Sequence, residues 1–171
     1  MKKIIVTCLI FLFTYTNLNS QDIPQISSEG FNISVNAIEG GTEKLNYDKY
    51  LKWINKNYNN ANYVIGSKIE NELLRFTGIT SSIGKSMGYT YDLKYTIRID
   101  FKDSRFRFTT ENISLGYNGI YNPIRYSDYY KKNGNIRKSY SELLKSIESE
   151  IQSILISSFN YLSNKKQKDE W

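Results

Sequence analysis

Histidine is missing from the whole chain of 171 residues, cysteine occurs once and proline only twice. Without an imidazole the chain lacks the one side chain whose ordinary pKa lies near neutrality, which removes most general-base, triad and imidazole-metal designs. A single cysteine forms no intrachain disulfide, and it offers neither a thiolate metal cluster nor a CxxC redox pair. No acidic loop has EF-hand spacing, and Gly40-Gly41 has no phosphate-loop context. No catalytic dyad, metal ligand set or cofactor motif is therefore expected. Internal repeats and Pro-rich or collagen-like tracts are also missing, and no apolar run reaches the roughly 20 residues that span a bilayer.

The chain begins with an address. Met1 to Ser20 reads MKKIIVTCLIFLFTYTNLNS: two lysines, an apolar run from Ile4 to Phe13 broken only by Thr7, then a polar stretch ending in a small residue. That order describes a secretory signal peptide. Cys8 lies inside the apolar run and does not close it, so it reads as filler and not as a lipidation site. The expected product is periplasmic or secreted, with no membrane span in the mature chain. Loss of Lys2 and Lys3 with the signal lowers the net charge from +6 to +4. The mature chain is long enough for one domain with a real core.

Residues 21–30 are polar, contain Pro24 and show no period, as in a flexible lead-in. Phe31, Ile33, Val35 and Ala37 alternate with Asn32, Ser34 and Asn36, the period of a half-buried strand with the apolar set inward. Glu39, Gly40 and Gly41 stop it. The period then turns helical, with Tyr47, Tyr50, Leu51, Ile54 and Tyr58 in one arc, Trp53 at its edge, and Thr42 or Asn46 as candidate caps. Two strands are expected over 62–68 and 72–79, and a loop over 81–87. Tyr89 to Lys102 alternates without error: Tyr89, Tyr91, Leu93, Tyr95, Ile97, Ile99 and Phe101 against seven polar residues, so one face is buried and one wet. A hairpin at Asp103-Ser104 sets Phe101 opposite Phe106, Asp100 opposite Arg107 and Lys102 beside Arg105. The last element is a helix of about 25 residues, begun by a Ser139/Glu142 capping box. Its stripe of Tyr140, Leu143, Leu144, Ile147, Ile151, Ile154, Leu155 and Leu162 lies opposite Lys145, Glu148, Glu150 and Gln152. The expected fold is α+β: an antiparallel five-stranded sheet with two helices packed on one face, in the order strand-helix-four strands-helix. The single domain spans 31–163, with a polar tail over 164–171.

The helix YDKYLKWINKNY, the strand pair NYVIGSKIENELLRFTGI and the hairpin YTIRIDFKDSRFRFTTENI, together with the leading signal, resemble the exported family called domain of unknown function 4468. The resemblance runs from Phe31 to Ile113. It implies a TATA-binding-protein-like fold and export; the family is uncharacterised, and the resemblance carries no active-site residue.

Nucleic acid is not the expected partner. Lys94, Arg98, Lys102, Arg105 and Arg107 share the wet face of the hairpin, but Asp92, Asp100, Asp103 and Glu111 are interleaved with them, which is not the one-signed stripe that phosphates need. Trp53, Tyr91 and Tyr95 read as core. Glu70 with Glu72, and Glu148 with Glu150, lack the facing geometry of a glycosidase pair, and Ser81-Ser82 and Ser157-Ser158 have no histidine to activate them. The candidate binding segment is the long connection over 116–138, with Tyr117, Tyr121, Arg125, Tyr126, Tyr129 and Tyr130, since tyrosine stacks on rings while its hydroxyl stays hydrated. The same tyrosines also fit a strap across the sheet edge. The reading is a non-catalytic binding or interaction module whose partner is a protein or glycan of the cell envelope. The alternatives are a hydrolase-like enzyme of unfamiliar carboxylate or Ser/Lys type, and an envelope protein that self-assembles through Ile156.

Overall fold

The computed structural model describes residues 21–163; the signal peptide expected over 1–20, Cys8 included, and the polar tail expected over 164–171 lie outside the described residues. In chain order the elements are β1 Ile26–Ser27, β2 Gly30–Phe31, β3 Ser34–Ala37, α1 Glu43–Asn57, α2 Ala61–Val64, β4 Ile65–Ile69, β5 Leu73–Ser86, β6 Tyr89–Lys102, β7 Arg105–Tyr117, β8 Ile120–Pro123 and α3 Ser141–Ser163.

β6 is the centre of an antiparallel sheet ordered β3-β7-β6-β5-β4, and β8 also pairs with β7. β3 covers Arg105–Phe108 and β8 covers Ser114–Tyr117, so the two short strands divide one edge of β7. The perfect alternation of β6 has the expected result from Leu93 onward. Leu93, Tyr95, Ile97, Ile99 and Phe101 are buried and the polar parity faces away from the helices, but at the start of the strand Tyr89 is exposed and Tyr91 only half-buried, because α3 does not cover that end of β6. The β6–β7 hairpin keeps the expected register, with Phe101 opposite Phe106, Asp100 opposite Arg107 and Lys102 opposite Arg105. Asp100 takes both Arg107 at 3.0 Å and Arg98 at 2.6 Å on the wet face. Exposed pairs of this kind contribute about 0–1 kcal/mol, so the inward aromatics, not the charges, hold the register.

Both helices lie on the apolar face. Tyr50 of α1 is fully buried among Trp53, Phe76, Phe101 and Phe106, with ring centroids 5.3–6.2 Å away. α3 contributes Leu143, Leu144, Ile147, Ile151, Ile154, Leu155 and Leu162 to the same core. Two polar ties join the helices: the Trp53 indole N–H donates to Ser157 Oγ at 3.1 Å, and Lys49 Nζ donates to the Leu162 carbonyl at 2.8 Å. Among the described residues no helix is long and apolar enough to cross a membrane.

The structure corrects several expectations. The period of β3 is right but its phase is inverted: Ser34 and Asn36 are buried while Ile33 and Val35 are exposed. Ser34 and Asn36 stand opposite Phe108 and Phe106, so pairing with β7 dictates which parity faces inward. The segment 81–87 is not a loop. β5 continues to Ser86 through an irregularity between Thr80 and Gly84, because the long β6 offers it backbone partners on both sides of that break. Residues 61–64 form the short α2 and not the start of a strand, and Val64 is followed directly by β4. The main sheet has six strands and not five, the sixth being β8 inside the expected long connection.

Thr42, not Asn46, caps α1, its Oγ1 accepting from the Leu45 N–H at 3.2 Å, while Asn46 is buried. Ser139 does not form the expected capping box. It lies in a 3-10 turn, Lys138–Tyr140, that runs straight into α3, and its carbonyl accepts from Ser86 Oγ at 2.7 Å. Residues 21–30 hold β1 and the first residue of β2 and dock on α3, whose supposedly outward Glu148 and Gln152 accept from the Ile26 N–H and donate to the Pro24 carbonyl, each at 3.0 Å.

Candidate functional site

Two hairpin turns meet at one end of the sheet. Met87-Gly88 joins β5 to β6, and Asn118-Gly119 joins β7 to β8; all four residues have positive φ, the geometry of turns that match strand twist. The strands leaving these turns bring Tyr89 and Tyr117 edge to face, 5.0 Å apart. Ser86, tied to the Ser139 carbonyl, draws the start of α3 against the same end. Between hairpins and helix opens a cleft of about 330 Å³.

Leu115 and Leu143, both buried, form its base, and Tyr91, Tyr117, Tyr129 and Tyr140 form its walls. Ile120, 69% exposed, and Asn122 border the mouth. Tyr129 and Tyr140 pack edge to face at 4.7 Å, which fixes the angle of each ring. The Tyr140 hydroxyl donates to Met87 Sδ at 3.4 Å, so the β5–β6 turn and the entry to α3 close one side together. Desolvation, followed by the neighbouring Tyr140, Tyr91 and Asp128, raises the Tyr129 pKa and keeps its phenol neutral. Among the described residues no charged side chain lines the cleft. Its polar groups are tyrosine hydroxyls and one amide, which can hold and orient a neutral ligand but supply no acid–base pair.

The six residues expected to form a binding loop do not gather in one place. Tyr117 and Tyr129 enter the cleft. Tyr121 lies on the far face of the sheet over Gly116, with Lys94 Nζ 5.7 Å from its ring centre. Tyr126 packs across Gly30, and burial pushes its pKa up to about 12. Tyr130 pairs through its backbone with Ile136 and is partly buried against the core, its pKa raised by burial and then by Glu148. Arg125 is exposed just before the 3-10 turn Tyr126–Tyr129 and does not line the cleft. Tyr89, Tyr91, Tyr140, Met87 and Ile120 join the site without having been expected there from the sequence. The Asn118-Gly119 pair between Tyr117 and Ile120 is a hairpin signal that would have placed β8 and, with it, one wall.

Four of the carboxylates and serines weighed for catalysis, all on α3, hold the fold together. Glu148 binds the Ile26 N–H, Glu150 accepts from Thr80 Oγ1 at 2.7 Å, Ser157 takes the Trp53 indole, and the Ser158 hydroxyl donates to the Leu155 carbonyl. On the wet face Arg75 pairs with Glu111 and Asp100 with two arginines, leaving a surface of mixed sign. Among the described residues no three acidic or thiol side chains gather as a metal site would require.

Residues 34–115 match the family model described as domain of unknown function (DUF4468) with TBP-like fold. No curated protein matches the chain. Two solved structures are similar. A DUF4468 family protein from Bacteroides ovatus has a TM-score of 0.67 at 13% identity, covering 85% of this chain and 93% of that one. A TBP-like protein from Parabacteroides distasonis has a TM-score of 0.63 at 14% identity, covering 78% of this chain and 92% of that one. Identity at this level carries the fold alone. From β3 into β7 the chain is thus similar to the domain of unknown function DUF4468, and it shares the TBP-like fold of the two solved structures.

Proposed function

We propose that this protein is an exported, non-catalytic binding module, working in the periplasm or outside the cell, that holds a neutral ring of an envelope glycan or protein in the tyrosine cleft. The carrying observation is the convergence of Tyr91, Tyr117, Tyr129 and Tyr140 on one uncharged cavity. Tyrosine rings stack on sugar or side-chain rings, and orthogonal neighbours such as Tyr129 and Tyr140 hold those faces in place before the ligand arrives. The mouth strengthens the reading: Met87 and Ile120 are each 69% exposed beside Tyr89 and Tyr117, an apolar rim of the kind that marks interaction surfaces. Export is supported by the order of charge, apolar run and small residue in the first 20 residues.

The test is a glycan array, with neutral and acidic oligosaccharides, probed with the mature protein and with Tyr117→Ala and Tyr129→Ala. Neutral glycans are expected to bind, and each variant to lose about tenfold or more in affinity, as hot-spot aromatics do. Tyr121→Ala, on the far face, is expected to bind as the parent does. An array without hits, or equal binding by Tyr129→Ala, would remove the glycan reading.

A further inference from the structure

A second groove lies away from the tyrosine cleft, where the end of α1 parts from the middle of α3 above β5. Its space is about 390 Å³. Trp53, Asn57 and Tyr58 border it from the α1 side, Glu150, Ser153 and Ser157 from α3, and Thr80 and Tyr95 from the sheet. Four hydrogen bonds run within this groove. The Trp53 indole N–H donates to Ser157 Oγ at 3.1 Å, the Asn57 amide N–H to the Trp53 carbonyl at 2.8 Å, and the Thr80 hydroxyl to Glu150 Oε1 at 2.7 Å. Tyr58 and Tyr95 pair their hydroxyls with each other at 3.0 Å. The Trp53 indole and the Thr80 hydroxyl are thus engaged within the wall. Acceptors remain: the second oxygen of Glu150, the Asn57 carbonyl oxygen and the lone pairs of the hydroxyls.

The groove also carries charge of one sign. Glu150 is partly buried, and among the described residues no lysine or arginine lines the space around it. Its charge reaches both tyrosines, whose phenols burial already holds neutral. Lys56, near the end of α1, lies over the Tyr161 ring and does not line the groove. A carboxylate with one oxygen bonded to Thr80 keeps its other oxygen open to a charged donor.

The geometry points to this groove as a binding site for a nitrogen cation, an ammonium or guanidinium group, completed by Glu150 and the Asn57 carbonyl. Such groups are all donor and no acceptor, which matches the open Glu150 and Asn57 oxygens and the hydroxyls that can turn to accept. Ser153 at the mouth is exposed and its hydroxyl can turn to accept as well. The site is independent of the tyrosine cleft, and the two can fail separately.

The test is NMR titration of the mature protein with n-butylammonium and n-butylguanidinium, against n-butanol at matched ionic strength. The readout is the indole N–H signal of Trp53, told apart from that of Trp171 by a Trp171→Phe variant. A saturable shift of Trp53 is expected with both cations and none with butanol. Glu150→Gln keeps an oxygen for Thr80, so its fold should survive, shown by an unchanged parent spectrum, while cation affinity drops about tenfold. A capped Gly-Gly-Lys-Gly-Gly peptide separates the sources: tighter binding than butylammonium assigns the site to a protein side chain, weaker binding to a small free amine. No saturable shift, an equal response to butanol, or an unaltered affinity in Glu150→Gln would overturn the proposal.

Discussion

Met87 occupies the left-handed region, φ 50°, as the first residue of a two-residue turn, while the equivalent turn at the other side of the cleft uses Asn118 with φ 49°. Asparagine and glycine tolerate this region; a long unbranched side chain enters it at a cost of about 1–2 kcal/mol. Nothing in the β5–β6 hairpin needs methionine there. Its Sδ accepts from Tyr140, a weak bond, and most of the side chain is in water. A turn residue that costs stability yet presents an apolar side chain at the mouth of a cleft fits selection for contact and not for folding. Met87→Asn is therefore expected to stabilise the protein by about 1 kcal/mol in urea unfolding while weakening the cleft's ligand. An unchanged or lowered midpoint would mean that the turn is not the strained element and that Met87 is held there by its packing.

At the scale of elements, α3 does two tasks. Its inner stripe fills the core, and its flank, through Glu148 and Gln152, holds the N-terminal hairpin β1–β2. A hydrogen bond to a charged acceptor contributes about 1.5–3 kcal/mol, and Glu148→Ala removes one of the bonds that dock this segment. Amide exchange at Ile26 is expected to accelerate about tenfold to a hundredfold, with β6 amides unchanged, because local opening spares the sheet. Equal acceleration in β6 would show that the hairpin is part of the global unfolding unit. Elements also differ in how far the sequence betrays them. β6 and β7 are readable because apolar and polar residues alternate along β6 without exception and the hairpin between them satisfies both faces in one register. β3 keeps its period but not its phase, since a four-residue strand takes its orientation from the partner it joins, and Ser34 and Asn36 follow Phe108 and Phe106 inward. The end of β5 shows no period of its own and exists because β6 continues beside it. The cleft is half legible. Tyr117 and Tyr129 stand out in a tyrosine-rich connection, but Tyr91 and Tyr140 belong to a strand and a helix entry that only the tertiary fold brings to them.

Over the whole molecule, the missing histidine and the abundance of tyrosine together dictate how stability answers to pH. No imidazole exists anywhere in the chain, and the sole cysteine, Cys8, is in the segment expected to be removed. Between about pH 6 and 9 no side chain with an ordinary pKa changes charge, so the melting temperature is expected to stay level across that range. Alkali is different. Burial raises the pKa of Tyr50, Tyr58 and Tyr95 above the ordinary phenol value and that of Tyr126 to about 12. For an acid whose pKa is raised on folding, the native state binds the proton more tightly than the unfolded chain. The stabilisation is complete below the unfolded value, about 10, and drains away as pH climbs through the folded values. Melting curves should therefore fall steeply above about pH 10, with phenolate absorbance appearing in two steps: exposed tyrosines first, the buried ones only with unfolding. Tyr126→Phe should lessen that fall between about pH 10 and 12, where its phenol contributes alongside the other buried phenols. A single phenolate step at about pH 10 with the fold intact would mean that the core opens to water without losing its structure, and a stability change near about pH 7 would require a group other than an ordinary side chain, such as the α-amino terminus.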